Sequence, residues 1–184
     1  PDDRGRVGAA RGPLNPAARR PTPLAMGVLS SLADEVESIV ERVGPAVLHV
    51  RVLAGGSERR GPGLASGSGV LVTPDGYALT NSHVVHGSSG IEVELADGRA
   101  LIADLVGEDP ATDLAVLRVP VQGPGALPSA ELGDSNALRV GDVAIAVGSP
   151  FGLTRTVTLG IVSALGRANV GIAEYEDFIQ TDAA

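Results

Sequence analysis

Short apolar runs separated by turn-forming residues dominate the chain after Pro45, and they restrict its fold more than any other feature. In residues 91–95 apolar and acidic side chains alternate, which places one set on each face of a strand. The predicted strands of this region are 46–53, 66–72, 76–81, 91–96, 100–107 and 114–119. Six short strands with no long helical pattern between them predict an all-β fold that contains a closed antiparallel barrel.

The composition agrees with many short strands. The chain has 25 Gly and 13 Pro for its turns, and it is 43% hydrophobic but only 2% aromatic, so its core must be built from Val, Leu, Ile and Ala. The predicted turns lie at 55–57, 74–76, 87–90, 97–98 and 109–110. Because the chain has no Cys, it can form neither a disulfide nor a thiolate metal site.

A short amphipathic helix is predicted ahead of the barrel, over residues 29–44. Its apolar residues recur at steps of three and four, as one face of a helix requires; they are Leu29, Leu32, Val36, Ile39 and Val43. Ser31 and Asp34 resemble a capping box at its start, and Gly44-Pro45 ends it. The acidic residues of the opposite face predict a solvated surface.

The remainder of the chain is divided by a Gly- and Pro-rich linker. We predict a first barrel over 45–122, the linker over 123–135 and an incomplete second barrel over 136–184, with strands near 142–147, 156–165 and 177–181. Three strands cannot close a barrel, and an open edge leaves backbone groups without partners. The 184 residues alone are therefore expected to be insoluble or partly molten.

The first 28 residues are rich in Arg and Pro and poor in large apolar residues, which predicts disorder. Nothing before Met26 resembles a signal peptide, and no stretch of the chain is long and apolar enough to span a membrane. Met26 is a possible true start, and a start there would predict a cytoplasmic protein. The net charge of −8 argues against nucleic acid as a partner, since a phosphate backbone needs a basic surface.

Two residues at strand ends are candidates for catalysis. His83 follows one predicted strand and Asp113 precedes another, and neighbouring strand ends in an antiparallel barrel can lie side by side. A carboxylate that accepts the imidazole Nδ1–H would leave Nε2 free to take a proton from a nucleophile. Taken singly, each signal is weak, because a lone His near a strand end is more often structural.

Four blocks of sequence strengthen the catalytic interpretation. They are residues 67–85 around His83, 108–119 around Asp113, 147–167 and 177–184. In order and spacing these blocks resemble the HtrA/Deg group of trypsin-like serine proteases. The resemblance implies a trypsin-like double β-barrel, in which the second barrel is partial here, with His83 as general base and Asp113 as the residue that orients it. It implies no cofactor.

The resemblance also implies what lies beyond these residues. The family's nucleophile sits in a Gly-Asn-Ser-Gly-Gly loop expected shortly after Ala184, so the chain is expected to be a fragment that is inactive alone. The implied activity of the complete protein is that of a serine endopeptidase acting on unfolded or damaged polypeptides. A homotrimer and a periplasmic or cell-envelope location are further implications of the family.

Other candidate residues have simpler explanations. Ser66 and Ser68 stand in a Ser-Gly-Ser-Gly run that leads into a strand, whereas a nucleophile elbow leads from a strand into a helix. His49 lies in an apolar strand and is interpreted as a packed or edge residue. His86 is three residues after His83, but two His without a third ligand are poor evidence for a metal. Asp182 is interpreted as structural by resemblance.

One rival function comes from a different class. A protease-like module without catalysis could bind an extended peptide at a barrel edge by strand addition. Retention of both His83 and Asp113 disfavours this rival, since a module that only binds has no use for the pair. Fluorophosphonate labelling of the native protein would separate the two functions.

Overall fold

The structure is a computed structural model that describes residues 27–53, 66–123, 125–149, 156–168, 171, 175 and 177–183. Three predictions lie outside these residues. They are the disorder of the chain up to residue 26, the turn at 55–57 and the part of the third sequence block at 150–155. Among the residues described, no helix combines the length and the apolar character needed to cross a membrane.

Helix α1 spans Gly27–Val43 and begins two residues before its predicted start. The predicted capping box is wrong, because Ser31 lies inside the helix and its hydroxyl donates to the Gly27 carbonyl at 2.7 Å. A 3₁₀ turn at Gly44–Ala46 follows the helix. The apolar face is covered only towards its C-terminal end: Val36 is half-buried, whereas Leu29 is 59% exposed.

The six predicted strands form the closed antiparallel barrel that the sequence predicts, and each observed strand end lies within two residues of its prediction. Their order around the barrel is β1-β2-β3-β6-β5-β4, and β1 closes it by pairing with both β2 and β4. The bounds are β1 Val47–Leu53, β2 Ser66–Leu71, β3 Tyr77–Thr80, β4 Gly90–Glu94, β5 Ala100–Asp109 and β6 Leu114–Arg118.

The barrel interior is aliphatic, as the low aromatic content requires. Alternate residues of each strand point inwards, and the fully buried side chains include Leu48, Val50, Leu71, Val93 and Leu117. Burial of each such side chain contributes about 1.5–3 kcal/mol. The interior thus makes a rigid support for the loops at the ends of the strands.

The segment predicted as a linker is docked against the barrel. Leu127 is buried and its N–H donates to the Pro74 carbonyl, while the Ala130 N–H donates to the Leu71 carbonyl. Gly76, at a φ of 105°, accepts the Val119 N–H, and a side chain at Gly76 would collide with the Val119 carbonyl. The Gly and Pro content of the sequence predicted a linker here and did not reveal these contacts with the barrel.

A three-stranded antiparallel sheet follows, in the order β7-β8-β9. Its strands span Val143–Gly148 (β7), Thr156–Arg167 (β8) and Phe178–Thr181 (β9). Several apolar side chains of this sheet are exposed, including Val143 at 62% and Leu159 at 49%. The fold class predicted from the sequence is confirmed: an N-terminal helix, a complete first barrel and a partial second one.

Candidate active site

A single helical turn at one end of the barrel carries His83. This turn, α2, spans Ser82–Val85 and packs Val84 and Val85 into the barrel core. Gly67 of β2 makes room for it, because a Cβ at Gly67 would lie 2.8 Å from Cγ2 of Val84. Gly67 therefore allows close approach of α2 to the strand, whereas Gly69 allows close approach of β3, since a Cβ there would lie 3.1 Å from the Leu79 carbonyl oxygen.

Asp113 lies at the end of the turn that joins β5 to β6. It is the one non-glycine residue among those described with a positive φ, at 56°, a conformation that Asp tolerates better than most residues. Asp109 holds the turn, since its carboxylate accepts the Ala111 N–H at 3.0 Å and the Thr112 hydroxyl at 3.0 Å. The Asp113 carboxylate is thereby presented to α2.

His83 and Asp113 form a direct side-chain pair. The imidazole Nδ1 lies 2.8 Å from Oδ2 and 3.0 Å from Oδ1 of Asp113. The backbone N–H of His83 donates to Oδ1 at 2.9 Å, and the Asn81 amide donates to Oδ2 at 3.1 Å. Since an ionised carboxylate only accepts, the ring carries its proton on Nδ1. In the neutral imidazole, Nε2 is then the nitrogen that can accept a proton.

The environment of the pair favours a charged carboxylate and an accessible ring. Burial opposes ionisation of Asp113, but hydrogen bonds from the backbone and ring of His83 outweigh it, so the pKa of Asp113 lies below its usual value. The side chain of Asp113 is 22% exposed and that of His83 is 71% exposed. The arrangement can therefore deliver an oriented base to a group that approaches from solvent.

A second His-carboxylate pair lies beside the first. Glu108 Oε1 is 3.0 Å from Nδ1 of His86, and Oε2 accepts the hydroxyl of Ser82 at 2.9 Å. The hydrogen bond from Ser82, together with His86, holds the pKa of Glu108 below its usual value. Glu108 was not predicted as a site residue, although it stands just before the Asp109-Pro110 turn.

Three other candidates from the sequence, Ser68, His49 and Asp182, make hydrogen bonds between segments of the fold. Ser68 lies within β2, opposite His49 of β1, and its hydroxyl accepts the Ser149 N–H at 2.9 Å. His49 is 4% exposed, and its Nδ1–H donates to the Ser149 carbonyl at 2.8 Å. His49 and Ser68 thus tie the chain after β7 to the barrel. Asp182 accepts the Ile161 N–H at 2.8 Å, which fixes the end of β9 against β8.

An open groove of about 420 Å³ runs between the outer face of the barrel and β7. Its walls are mostly aliphatic and include Val47, Val70 and Ile145. Asn81 and Leu114, the chain neighbours of α2 and Asp113, also line it. The groove therefore reaches the barrel end that carries the His83-Asp113 pair.

Comparison with known proteins connects this geometry to a family. A trypsin-like peptidase domain family matches residues 67–184. The periplasmic serine endoprotease DegP of Salmonella typhimurium is 52% identical over 122 residues, which are 66% of this chain and 25% of DegP. A probable DegP-like periplasmic serine endoprotease of Chlamydia pneumoniae is 53% identical over 118 residues, 64% of this chain and 24% of that protein.

Solved structures of an HtrA-type protease are also similar to this chain. The HtrA-type protease AlgW with a tripeptide superposes with a TM-score of 0.72 at 46% identity, over 80% of this chain and 46% of that chain. A complex of AlgW with a decapeptide superposes with a TM-score of 0.67 at 42% identity, over 80% of this chain and 51% of that chain. The chain spans about a quarter of the length of the curated relatives.

Proposed function

The chain belongs to the HtrA-type family of trypsin-like serine proteases, and we propose that His83 and Asp113 are the general base and the orienting carboxylate of its Ser-His-Asp triad. The observation that carries this proposal is that the Asp113 carboxylate accepts two hydrogen bonds from His83, one from ring Nδ1 at 2.8 Å and one from the backbone N–H at 2.9 Å. A structural His needs neither a fixed tautomer nor an exposed Nε2, whereas a general base needs both.

The chemistry follows from this tautomer. Nε2 of His83 takes the proton of a serine hydroxyl as the oxygen attacks the scissile carbonyl, and it later gives the proton to the leaving amine. Asp113 stays ionised throughout and stabilises the imidazolium. Water then hydrolyses the acyl-enzyme with His83 again acting as base. The proposed nucleophile is a serine of the family's Gly-Asn-Ser-Gly-Gly loop, a motif that these 184 residues do not contain.

The proposed substrates are unfolded or damaged polypeptides. Relatives are named endoproteases, and AlgW was solved with a tripeptide and a decapeptide. An extended chain could follow the aliphatic groove to the end of the barrel that carries His83.

Because the relatives are named periplasmic, we propose the same compartment for the complete protein. The predicted boundaries 45–122, 123–135 and 136–184 and a trimeric assembly remain proposals.

Hydrolysis of an unfolded polypeptide by the full gene product tests this function. The parent is expected to cleave a reduced, unfolded substrate faster than its native form, and His83→Ala is expected to abolish the cleavage. Arg99→Ala is the matched control, since Arg99 pairs with Asp97 in the surface turn between β4 and β5. Undiminished cleavage by His83→Ala would refute the assignment of the base. A folded full-length parent without activity would favour the peptide-binding module.

A further inference from the structure

The geometry points to a further positioning residue: we propose that Glu108 fixes α2 at both ends and so holds the His83 ring in its working orientation. This inference rests on the proposed function, since it concerns the residue assigned there as the base. Glu108 touches neither the His83 side chain nor a reacting atom in the contacts described. Its effect is transmitted through the helical turn that carries His83.

Both oxygens of Glu108 are engaged, and their donors flank His83. Ser82 precedes His83 and donates its hydroxyl to Oε2, while His86 follows α2 directly and donates its Nδ1–H to Oε1. Ser82 is only 2% exposed, so loss of its acceptor would leave a buried hydroxyl poorly satisfied. The lowered pKa of Glu108 keeps it an ionised acceptor for both donors at neutral pH.

The helical turn needs this restraint because it is so short. α2 has four residues, and its own bonds include His86 N–H to the Ser82 carbonyl at 2.8 Å and Val84 N–H to the Asn81 carbonyl at 3.2 Å. Forming a single turn is unfavourable by itself, because several backbone dihedrals are fixed for one or two hydrogen bonds. Tertiary contacts must therefore hold the turn in place.

A β-bulge brings Glu108 to the helix. The pairing of β5 with β6 shifts by one residue between Leu105 and Gly107, and beyond the shift Glu108 lies opposite Ala115. Residues paired across two strands point to the same face of the sheet. Leu117, the partner of Leu105, and Ala115, the partner of Glu108, are both buried on the inner side of the barrel. Glu108 therefore points to that side as well. Without the extra residue, strict alternation would turn Glu108 away from the barrel end where α2 sits.

The two carboxylates of the β5-β6 hairpin have different tasks. Asp113 binds the His83 ring and backbone, and its carbonyl accepts the Ser82 N–H at 3.1 Å, so it fixes the start of α2. Glu108 adds the restraint at the far end, through His86. Because the His83 side chain is 71% exposed, surrounding packing does little to hold it, and its orientation depends on the position of the turn.

The test uses Glu108→Ala and Glu108→Gln, with Asp104→Ala as matched control. Asp104 is an exposed carboxylate of the same strand, about 13 Å from Glu108 along a strand that rises ~3.3 Å per residue. Glu108→Ala is expected to lower kcat of the full gene product about 10- to 100-fold with KM unchanged, the effect of a misplaced catalytic group. Glu108→Gln is expected to recover most of the loss, because its amide oxygen still accepts from Ser82 and its NH₂ group can donate to Nδ1 of His86 once that ring carries its proton on Nε2.

A spectroscopic measurement separates positioning from general stability. The low-field proton resonance of His83 Nδ1–H is expected to broaden or shift in folded Glu108→Ala and to stay unchanged in Asp104→Ala. An unchanged resonance and an unchanged kcat in folded Glu108→Ala would overturn the role of Glu108 and leave the proposed function intact. A parent without the resonance and without peptidase activity would overturn the proposed function, and the role of Glu108 with it.

Discussion

Replacement of Asp113 by Asn tests how much activity depends on the negative charge of the Asp113 carboxylate and on the His83 tautomer that it fixes. The carboxylate accepts three hydrogen bonds, from the His83 ring, the His83 backbone and the Asn81 amide. An Asn side chain has one acceptor oxygen and one NH₂ group. If the oxygen keeps the backbone N–H, the NH₂ faces two donors, the His83 Nδ1–H and the Asn81 amide. The ring can then bond only by moving its proton from Nδ1 to Nε2.

A ring with its proton on Nε2 cannot act as the base, so the loss of activity should be large. The same exchange in the reference serine-protease triad lowers kcat about 10⁴-fold, which corresponds to about 5.4 kcal/mol of transition-state stabilisation at ~1.36 kcal/mol per tenfold. We expect a loss of this order for Asp113→Asn, because the contacts are short and the carboxylate is mostly covered. Initial rates of hydrolysis of an unfolded polypeptide by the full gene product measure it.

Asp104→Asn is the control for this exchange, since it removes an exposed carboxylate of β5 that bonds to neither His83 nor Asn81 in the contacts described. The far-ultraviolet circular dichroism of both variants should match that of the parent. A folded Asp113→Asn variant that keeps its rate to within about tenfold, against the ~10⁴ expected, would refute the assignment of Asp113 as the orienting residue.

Three further outcomes follow from the same contacts. His49→Leu removes the donor to the Ser149 carbonyl and is expected to lower the free energy of unfolding by about 1–3 kcal/mol; an unchanged denaturation midpoint would contradict this. Gly67→Ala places a Cβ against Val84, so we expect the free energy of unfolding to fall by about 1–3 kcal/mol and the peptidase activity to fall with it. Full activity would show that α2 tolerates the displacement. Because the pKa of Asp113 is lowered on folding, its stabilising effect is present above the ordinary carboxyl pKa and is lost as pH falls through the lowered value. Melting temperatures should therefore fall less steeply in acid for Asp113→Asn than for the parent.

The barrel could be predicted from the sequence because its signals are local. Alternation in a run such as 91–95 assigns each side chain to a face, and turn residues such as Asp97-Gly98 mark the strand ends. The approach of His83 to Asp113 could be predicted only as a possibility, since period and spacing leave the strand order open. Resemblance to a family supplied the rest of that inference.

The features that the sequence did not reveal depend on contacts between distant segments. Glu108 reaches α2 because of a one-residue bulge in β5, and such a bulge leaves no mark in the apolar pattern of the strand. Leu127 looked like a linker residue, but its N–H has a partner in the turn at Pro74. Ser31 had the spacing of a cap, yet the helix starts four residues earlier, at Gly27. In each case the structure depends on interactions with other residues that the local sequence pattern does not show.

Fluorophosphonate labelling of the folded full gene product, followed by peptide mapping of the labelled residue, tests directly whether His83 activates a serine nucleophile. We expect one labelled serine outside these 184 residues, in a Gly-Asn-Ser-Gly-Gly-type loop, and loss of the label in His83→Ala. A label on Ser66, Ser68 or Ser149, or a label that persists without His83, would contradict the proposed triad.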